Sequence, residues 1–157
     1  MKHQNKQLLP VSPIAADLIT IHVAGSCLPN NDDGIMTYGV VITQYGKEIE
    51  CLAGRRQLKN NRASNIAAEH IAMVYGLMYL LNYELSHHPI HIICSIKCCP
   101  RLGDNISDDA AYAEPAYYLD KLITDNNLKI SFEWRRRVDN QKSAQLAMAC
   151  YQKLIRR

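Results

Sequence analysis

The segment Ile90–Ser95 is apolar almost throughout, short and bounded by polar sequence, so it reads as a central strand buried on both faces. Such a strand needs helices above and below its sheet. The rest of the chain supplies them. Leu18–Val23 alternates, placing Ile19, Ile21 and Val23 on one face of a first strand. Pro, Asn, Asp and Gly crowd Leu28–Gly34 into a turn. Thr37–Gln44 and Lys47–Gly54 read as two strands joined by a hairpin at Tyr45-Gly46. After a polar, basic loop over Leu58–Ser64, either Ser64 or Asn65 caps a helix that runs to about Tyr83. Ala67, Ile71, Val74, Met78 and Leu81 recur along it at helical spacing as the core-facing stripe. Pro100–Asp109 is irregular, and a second helix runs from about Ala110 to Asp125 with Pro115 in its first turn. Leu128–Arg135 alternates as a last strand, and Asn140–Ile155 is a closing helix. The order β-β-β-α-β-α-β-α predicts an α/β fold: a five-stranded mixed sheet with helices on both faces.

Length and composition narrow the class. At 157 residues, the chain reads as a polar tail over residues 1–17 followed by one domain over 18–157. No apolar run is long enough to span a bilayer, and Met1–Gln7 lacks a signal-peptide core, so the expectation is a cytoplasmic protein with no membrane partner. A net charge of +3 permits nucleic-acid binding without requiring it. Of six cysteines, Cys27, Cys51, Cys94 and Cys150 read as small buried hydrophobes in reduced form. Cys94 with Cys98-Cys99 imitates a metal cluster, but no paired C-x-x-C unit accompanies it.

Four motifs give the chain a family likeness. Val23-Ala24-Gly25-Ser26-Cys27 closes the first strand, Ser64-Asn65-Ile66-Ala67-Ala68-Glu69-His70 opens the main helix, and Arg137 to Ala147 leads into the closing helix. Cys94-Ser95-Ile96-Lys97 is a fourth, weaker match. Together they resemble ribonuclease H of type 1, which writes V-D-G-S-C, T-N-N-x-A-E-Y, R-x-x-N-x-x-A-D-x-L-A and S-D-S or T-D-S at these places. The resemblance implies the ribonuclease H-like fold. It also puts the four catalytic carboxylates at Ala24, Glu69, Ile96 and Ala144, where only Glu69 is an acid. Two-metal hydrolysis holds its Mg²⁺ pair on clustered oxygen ligands, which one glutamate cannot supply. The resemblance thus argues for the fold and against the family's chemistry.

Each implied position also has a plain reading. Gly25-Ser26-Cys27 would let backbone amides approach an RNA strand, or is an ordinary tight turn. Glu69 would be a lone metal ligand, or a carboxylate favoured by the helix N-terminus. Asn65 would contact nucleic acid or cap the helix. Ile96 fills the pocket an acid would open, and Lys97 places a positive charge beside it. Arg135 and Arg137 point to one face of the last strand and Arg136 to the other. With Arg55, Arg56, Lys59, Arg62 and Lys97 they line a phosphate-tracking surface, or are a scattered solvated set. Asp104, Asp108, Asp109 and Asp139 are conceivable replacement ligands, and Mg²⁺ is expected only if they rearrange the site.

Three functions follow. The first is a catalytically inactive domain that binds an RNA/DNA hybrid or structured RNA through Gly25, Ser26, Cys27, Asn65, Lys97, Arg135 and Arg137. The second is a protein-interaction domain, as a homodimer or within a larger nucleoprotein assembly. The third is a nuclease with relocated ligands, or an inactive form made by design.

Overall fold

The computed structural model of the chain describes residues 17–31, 33–57, 63–96 and 113–156. Strands β1 (Ile19–Leu28), β2 (Ile35–Gln44) and β3 (Lys47–Arg56) form an antiparallel meander. Strands β4 (Ile90–Cys94) and β5 (Ile130–Trp134) extend the sheet in parallel with β1, giving the order β3-β2-β1-β4-β5. Helices α1 (Asn65–Asn82), α2 (Ala113–Asp125) and α3 (Gln141–Ile155) complete the predicted order, with a 3₁₀ turn at Arg137–Asn140 leading into α3. At the β2–β3 hairpin Tyr45 has φ 54° and Gly46 φ 70°, the positive pair a type I′ turn demands. No helix of the described residues is long and apolar enough to cross a membrane.

Two glycines settle which helix covers which face. Gly39 and Val40 are neighbours on β2 and so face opposite sides. A Cβ on Gly39 would come within 2.0 Å of the Ser143 carbonyl oxygen of α3. Val40 meets α1 instead, where a Cβ on Gly76 would lie 3.3 Å from its Cγ1 and 2.8 Å from Ile21 Cγ2. Helices therefore lie on both faces, as expected. The main core is Ile19, Ile21, Val23, Val40, Ile42, Ile90 and Ile92 of the sheet under Ala72, Met73, Leu77 and Leu80 of α1, closed by Leu119 of α2.

Several boundaries differ from expectation. β1 continues through Gly25-Ser26-Cys27 to Leu28, because β2 pairs with it along its whole length, from Ile19↔Gln44 to Leu28↔Ile35. The tripeptide is strand rather than a turn after it. The stripe along α1 is met in part: Ala67 and Ile71 are buried and Val74 and Leu81 pack against the core, whereas Met78 is exposed. The sheet side also takes Ala72, Met73, Gly76, Leu77 and Leu80, with Ile71, Val74 and Met78 lining a groove against α2. An apolar helix between a sheet and a second helix has two contact faces, which spacing alone does not tell apart. β5 stops at Trp134, so strict alternation does not orient Arg135 and Arg137. Within β4 one position is polar and half-buried: His91 bonds Ser131 Oγ (2.7 Å) and Glu133 Oε2 (2.9 Å), since α3 packs over β1, β2 and β3 rather than β5. Cys27 and Cys94 are buried as expected, whereas Cys51 and Cys150 are only half-buried; all four are free thiols.

The close approach of α3 to β2 gives a direct test. Gly39→Ala pushes backbone against backbone, so urea denaturation should show a loss of about 3 kcal/mol, the upper part of the range for overpacking.

Candidate functional site

The parallel ladder between β1 and β4 ends at His22↔Ile93. Beyond it the strands part, and their next inward-facing amides, those of Gly25 and Ser95, lose a ladder partner. The carboxylate of Glu69 fills that gap. It reaches across from the second turn of α1, fully buried at 0% exposure. Its Oε2 accepts the Gly25 amide at 2.8 Å, and its Oε1 accepts the Ser95 amide. The Ser95 hydroxyl adds a donor, 2.9 Å from Oε1 and 3.1 Å from Oε2. Gly25 has no room for a side chain, since a Cβ would lie 2.1 Å from the Glu69 nitrogen. Burial pushes the Glu69 carboxyl above the ordinary carboxylate range, against the pull of the Ser95 and Gly25 donors and of the Arg137 charge.

Asn65 makes a second clasp beside the first. Its Oδ1 accepts the Cys27 amide at 2.7 Å, while its own amide donates to Asn30 Oδ1 at 2.8 Å. Ser64 is the helix cap, its Oγ accepting from the Ala67 amide at 3.0 Å. Cys27 is fully buried and its thiol donates to the Pro29 carbonyl at 3.2 Å. Ser26 is 5% exposed and lies in the β1–β2 ladder. Gly25 and Cys27 thus spend their amides within the chain.

A third clasp ties α3 to the same place. Asn140 Nδ2 donates to the Val23 carbonyl at 2.7 Å, and Ser143 Oγ donates to the Asn140 carbonyl (3.1 Å) or Oδ1 (3.0 Å). These contacts bring all four resemblance positions to one edge of the sheet. Ala24 is fully buried between Val23 and Gly25, and faces α3 through its pairing with Gly39. Ile96 follows Ser95 and packs against the main core. Ala144 follows Ser143 and lines a shallow depression with Arg137, Val138 and Met148.

This set does not fit a divalent metal pair. Three positions carry no ligand atom, and the lone pairs of the fourth are engaged by internal donors. Among the described residues, no group of three or more His, Cys, Asp or Glu could hold a metal ion. Asp139 pairs with Arg136 at 3.0 Å. Lys97, Cys98, Cys99, Asp104, Asp108, Asp109, Lys59 and Arg62 lie outside the described residues.

The basic residues gather at the same edge for a topological reason. β3 and β1 both run antiparallel to β2, so Arg55 and Arg56 end where β1, β4 and β5 end. Arg56 Nη1 donates to Tyr75 OH at 2.9 Å, and Tyr75 stacks on Tyr38 with centroids 4.6 Å apart. Burial and the neighbouring Tyr75 raise the Tyr38 hydroxyl to about 12. Arg135 pairs with Glu133 at 3.0 Å. Residue-by-residue reading missed Ser95, Asn140 and Ser143 as structural partners, although each lies inside a quoted motif. Their signal was a small polar residue at the end of a strand or the start of a helix.

Removing the clasp should be costly. Glu69→Ala strands the amides of Gly25 and Ser95, and chemical denaturation should register about 3 kcal/mol of lost stability. Mg²⁺ should leave the wild-type midpoint where it was, whereas a stabilising shift that disappears in Glu69→Gln would show that Glu69 is a metal ligand.

No protein-family model matches the sequence, and no curated protein matches it. Solved structures do. Ribonuclease H1 from the halophilic archaeon Halobacterium salinarum NRC-1 superposes with a TM-score of 0.74 at 16% identity, covering 87% of this chain and 98% of that one. LC11-RNase H1, solved in complex with an RNA/DNA hybrid, gives a TM-score of 0.75 at 18% identity over 87% of this chain and 99% of that one. The foamy viral protease-reverse transcriptase, also in complex with RNA/DNA hybrid, gives 0.64 at 12% identity over 98% of this chain and 22% of that one. The chain therefore has the ribonuclease H-like fold, with the five-stranded mixed sheet its sequence predicts.

Proposed function

We propose that this is a catalytically inactive ribonuclease H-like domain that binds RNA-containing duplex, an RNA/DNA hybrid above all, without cutting it. The observation that carries the reading is the state of Glu69. The one acid left among the resemblance positions is buried under three internal donors, where it closes the sheet instead of facing solvent. Support for binding is twofold. Structures of the same fold include complexes with RNA/DNA hybrid. The edge where β1, β3, β4 and β5 end carries Arg55, Arg56, Arg135 and Arg137, which would meet phosphates, with Lys97 following Ile96 in sequence. Gly25, Ser26, Cys27 and Asn65 would shape the floor of that edge. Selectivity for RNA would come from duplex shape and 2′-hydroxyls.

A protein-interaction role is the second reading. The observation favouring it is an apolar groove between α1 and α2, lined by Ile71, Val74, Met78, Pro115, Tyr118 and Leu122.

Fluorescence anisotropy with a labelled RNA/DNA hybrid, with the same samples run on a gel, separates the readings. Affinity should fall steeply as salt rises, because phosphate contacts release counterions, and the hybrid should stay intact in Mg²⁺ or Mn²⁺. Absence of binding at low salt moves the weight to the protein-interaction role, and metal-dependent cleavage overturns inactivity. The resemblance positions have their own test. Titration calorimetry should show Mg²⁺ binding to the Ala24→Asp, Ile96→Asp, Ala144→Asp triple variant and none to the wild type; no heat from the variant would refute the position assignments.

A further inference from the structure

We infer that Ser131, His91 and Glu133 form a nucleophilic triad that hydrolyses small carboxylic esters, an activity independent of nucleic-acid binding. The three meet through strand register. His91 of β4 pairs with Ser131 of β5, and Glu133 lies two residues further on the same face. His91 Nδ1 is 2.7 Å from Ser131 Oγ, and its Nε2 is 2.9 Å from Glu133 Oε2. Arg135 Nη2 donates to the same carboxylate oxygen at 3.0 Å. The His91 and Arg135 contacts hold the Glu133 carboxyl below the ordinary carboxylate range, so it is ionised at neutral pH. An ionised carboxylate only accepts, so Nε2 of the neutral ring carries the proton and Nδ1 offers its lone pair. The Ser131 hydroxyl is then the donor in the remaining contact. A hydroxyl donating to a base that a carboxylate orients is the arrangement that activates a serine.

This face of β5 is also open. α3 lies on the same side of the sheet but packs over β1, β2 and β3, so among the described residues no helix covers the triad. Ser131 is exposed and His91 half-buried, and a small ester can approach Oγ directly. β5 is the last strand in the sheet order. The Arg135 amide turns inward, donating to the Cys94 carbonyl at 2.9 Å. Amides alternate in direction along a strand, so that of Phe132 turns to the outer edge. Phe132 follows Ser131 directly, the place from which a main-chain N–H stabilises an oxyanion on the attacked carbonyl.

In the first step Ser131 Oγ bonds to the carbonyl carbon and its proton passes to His91 Nδ1. The bond to the alkoxy oxygen breaks, and that oxygen takes the proton and leaves as an alcohol. Water then adds to the acyl carbon and gives a proton to His91. The acid leaves as Ser131 Oγ takes that proton back.

The test on the full chain uses p-nitrophenyl acetate for turnover and a fluorophosphonate, which loses fluoride to an activated serine, for labelling. Cleavage above the buffer rate should accompany an adduct that peptide mass spectrometry places on Ser131. Ser131→Ala should remove both and leave hybrid binding at the wild-type level. His91→Gln should slow cleavage about 100-fold or more, the low end of what a general base contributes. Glu133 is a positioning residue, so Glu133→Gln should lower kcat and leave KM near the wild-type value. Circular dichroism melts confirm that the three variants are folded. No adduct on Ser131, cleavage that survives Ser131→Ala, or labelling at the wild-type rate in His91→Gln overturns the triad.

Discussion

Where two parallel strands diverge, each leaves backbone amides without a partner, and a buried amide in that position is costly. In this protein the gap opens between β1 and β4, past the last ladder pair His22↔Ile93. The Glu69 carboxylate occupies it and accepts from both strands at once. Hydrogen bonds to a charged acceptor contribute about 1.5–3 kcal/mol each, and three such donors offset much of the cost of burying the group. Much of the molecule's edge depends on that clasp. It fixes the end of β1 against α1, which lets Asn65 reach the Cys27 amide, and it holds Ser95, to which the Trp134 indole is anchored.

The remaining resemblance positions are consistent with this use. Carboxylates clustered in a cleft repel one another and need cations to coexist. Ala24 is buried on the α3 side of β1 and Ile96 packs on the core, so neither position calls for a counter-charge. Asn140 and Ser143 then join α3 to β1 with neutral hydrogen bonds. This edge is assembled around backbone amides: Glu69 closes on those of Gly25 and Ser95. Arginines face outward here, Arg135 and Arg136 paired with the exposed acids Glu133 and Asp139.

Much of the fold is legible in the sequence. Hydrophobic patterning gave five strands and three helices in the right order, and Tyr45-Gly46 marked its hairpin because few residues tolerate two positive φ values in succession. What failed did so for identifiable reasons. Periodicity on α1 placed the exposed Met78 in the core stripe and left out Met73, Leu77 and Leu80, because a helix with two apolar faces gives no sign of which one meets the sheet. Gly25-Ser26-Cys27 looked like a turn because glycine and serine are weak strand formers, yet full-length pairing with β2 overrides that preference. Alternation beyond Trp134 misled because the chain leaves the strand there for the 3₁₀ turn.

The sequence by itself determined the layered α/β architecture, and its resemblance to ribonuclease H implied four motif positions, three of which carry no acid. Those are matters of residue type and spacing, which need no partner to be read. Only the tertiary structure decided what Glu69 does. A glutamate in a helix's second turn looks the same in sequence whether it faces solvent, a metal or the backbone. Its role follows from where β1 and β4 separate and which amides they leave unpaired, and that is a property of strands brought together from distant parts of the chain.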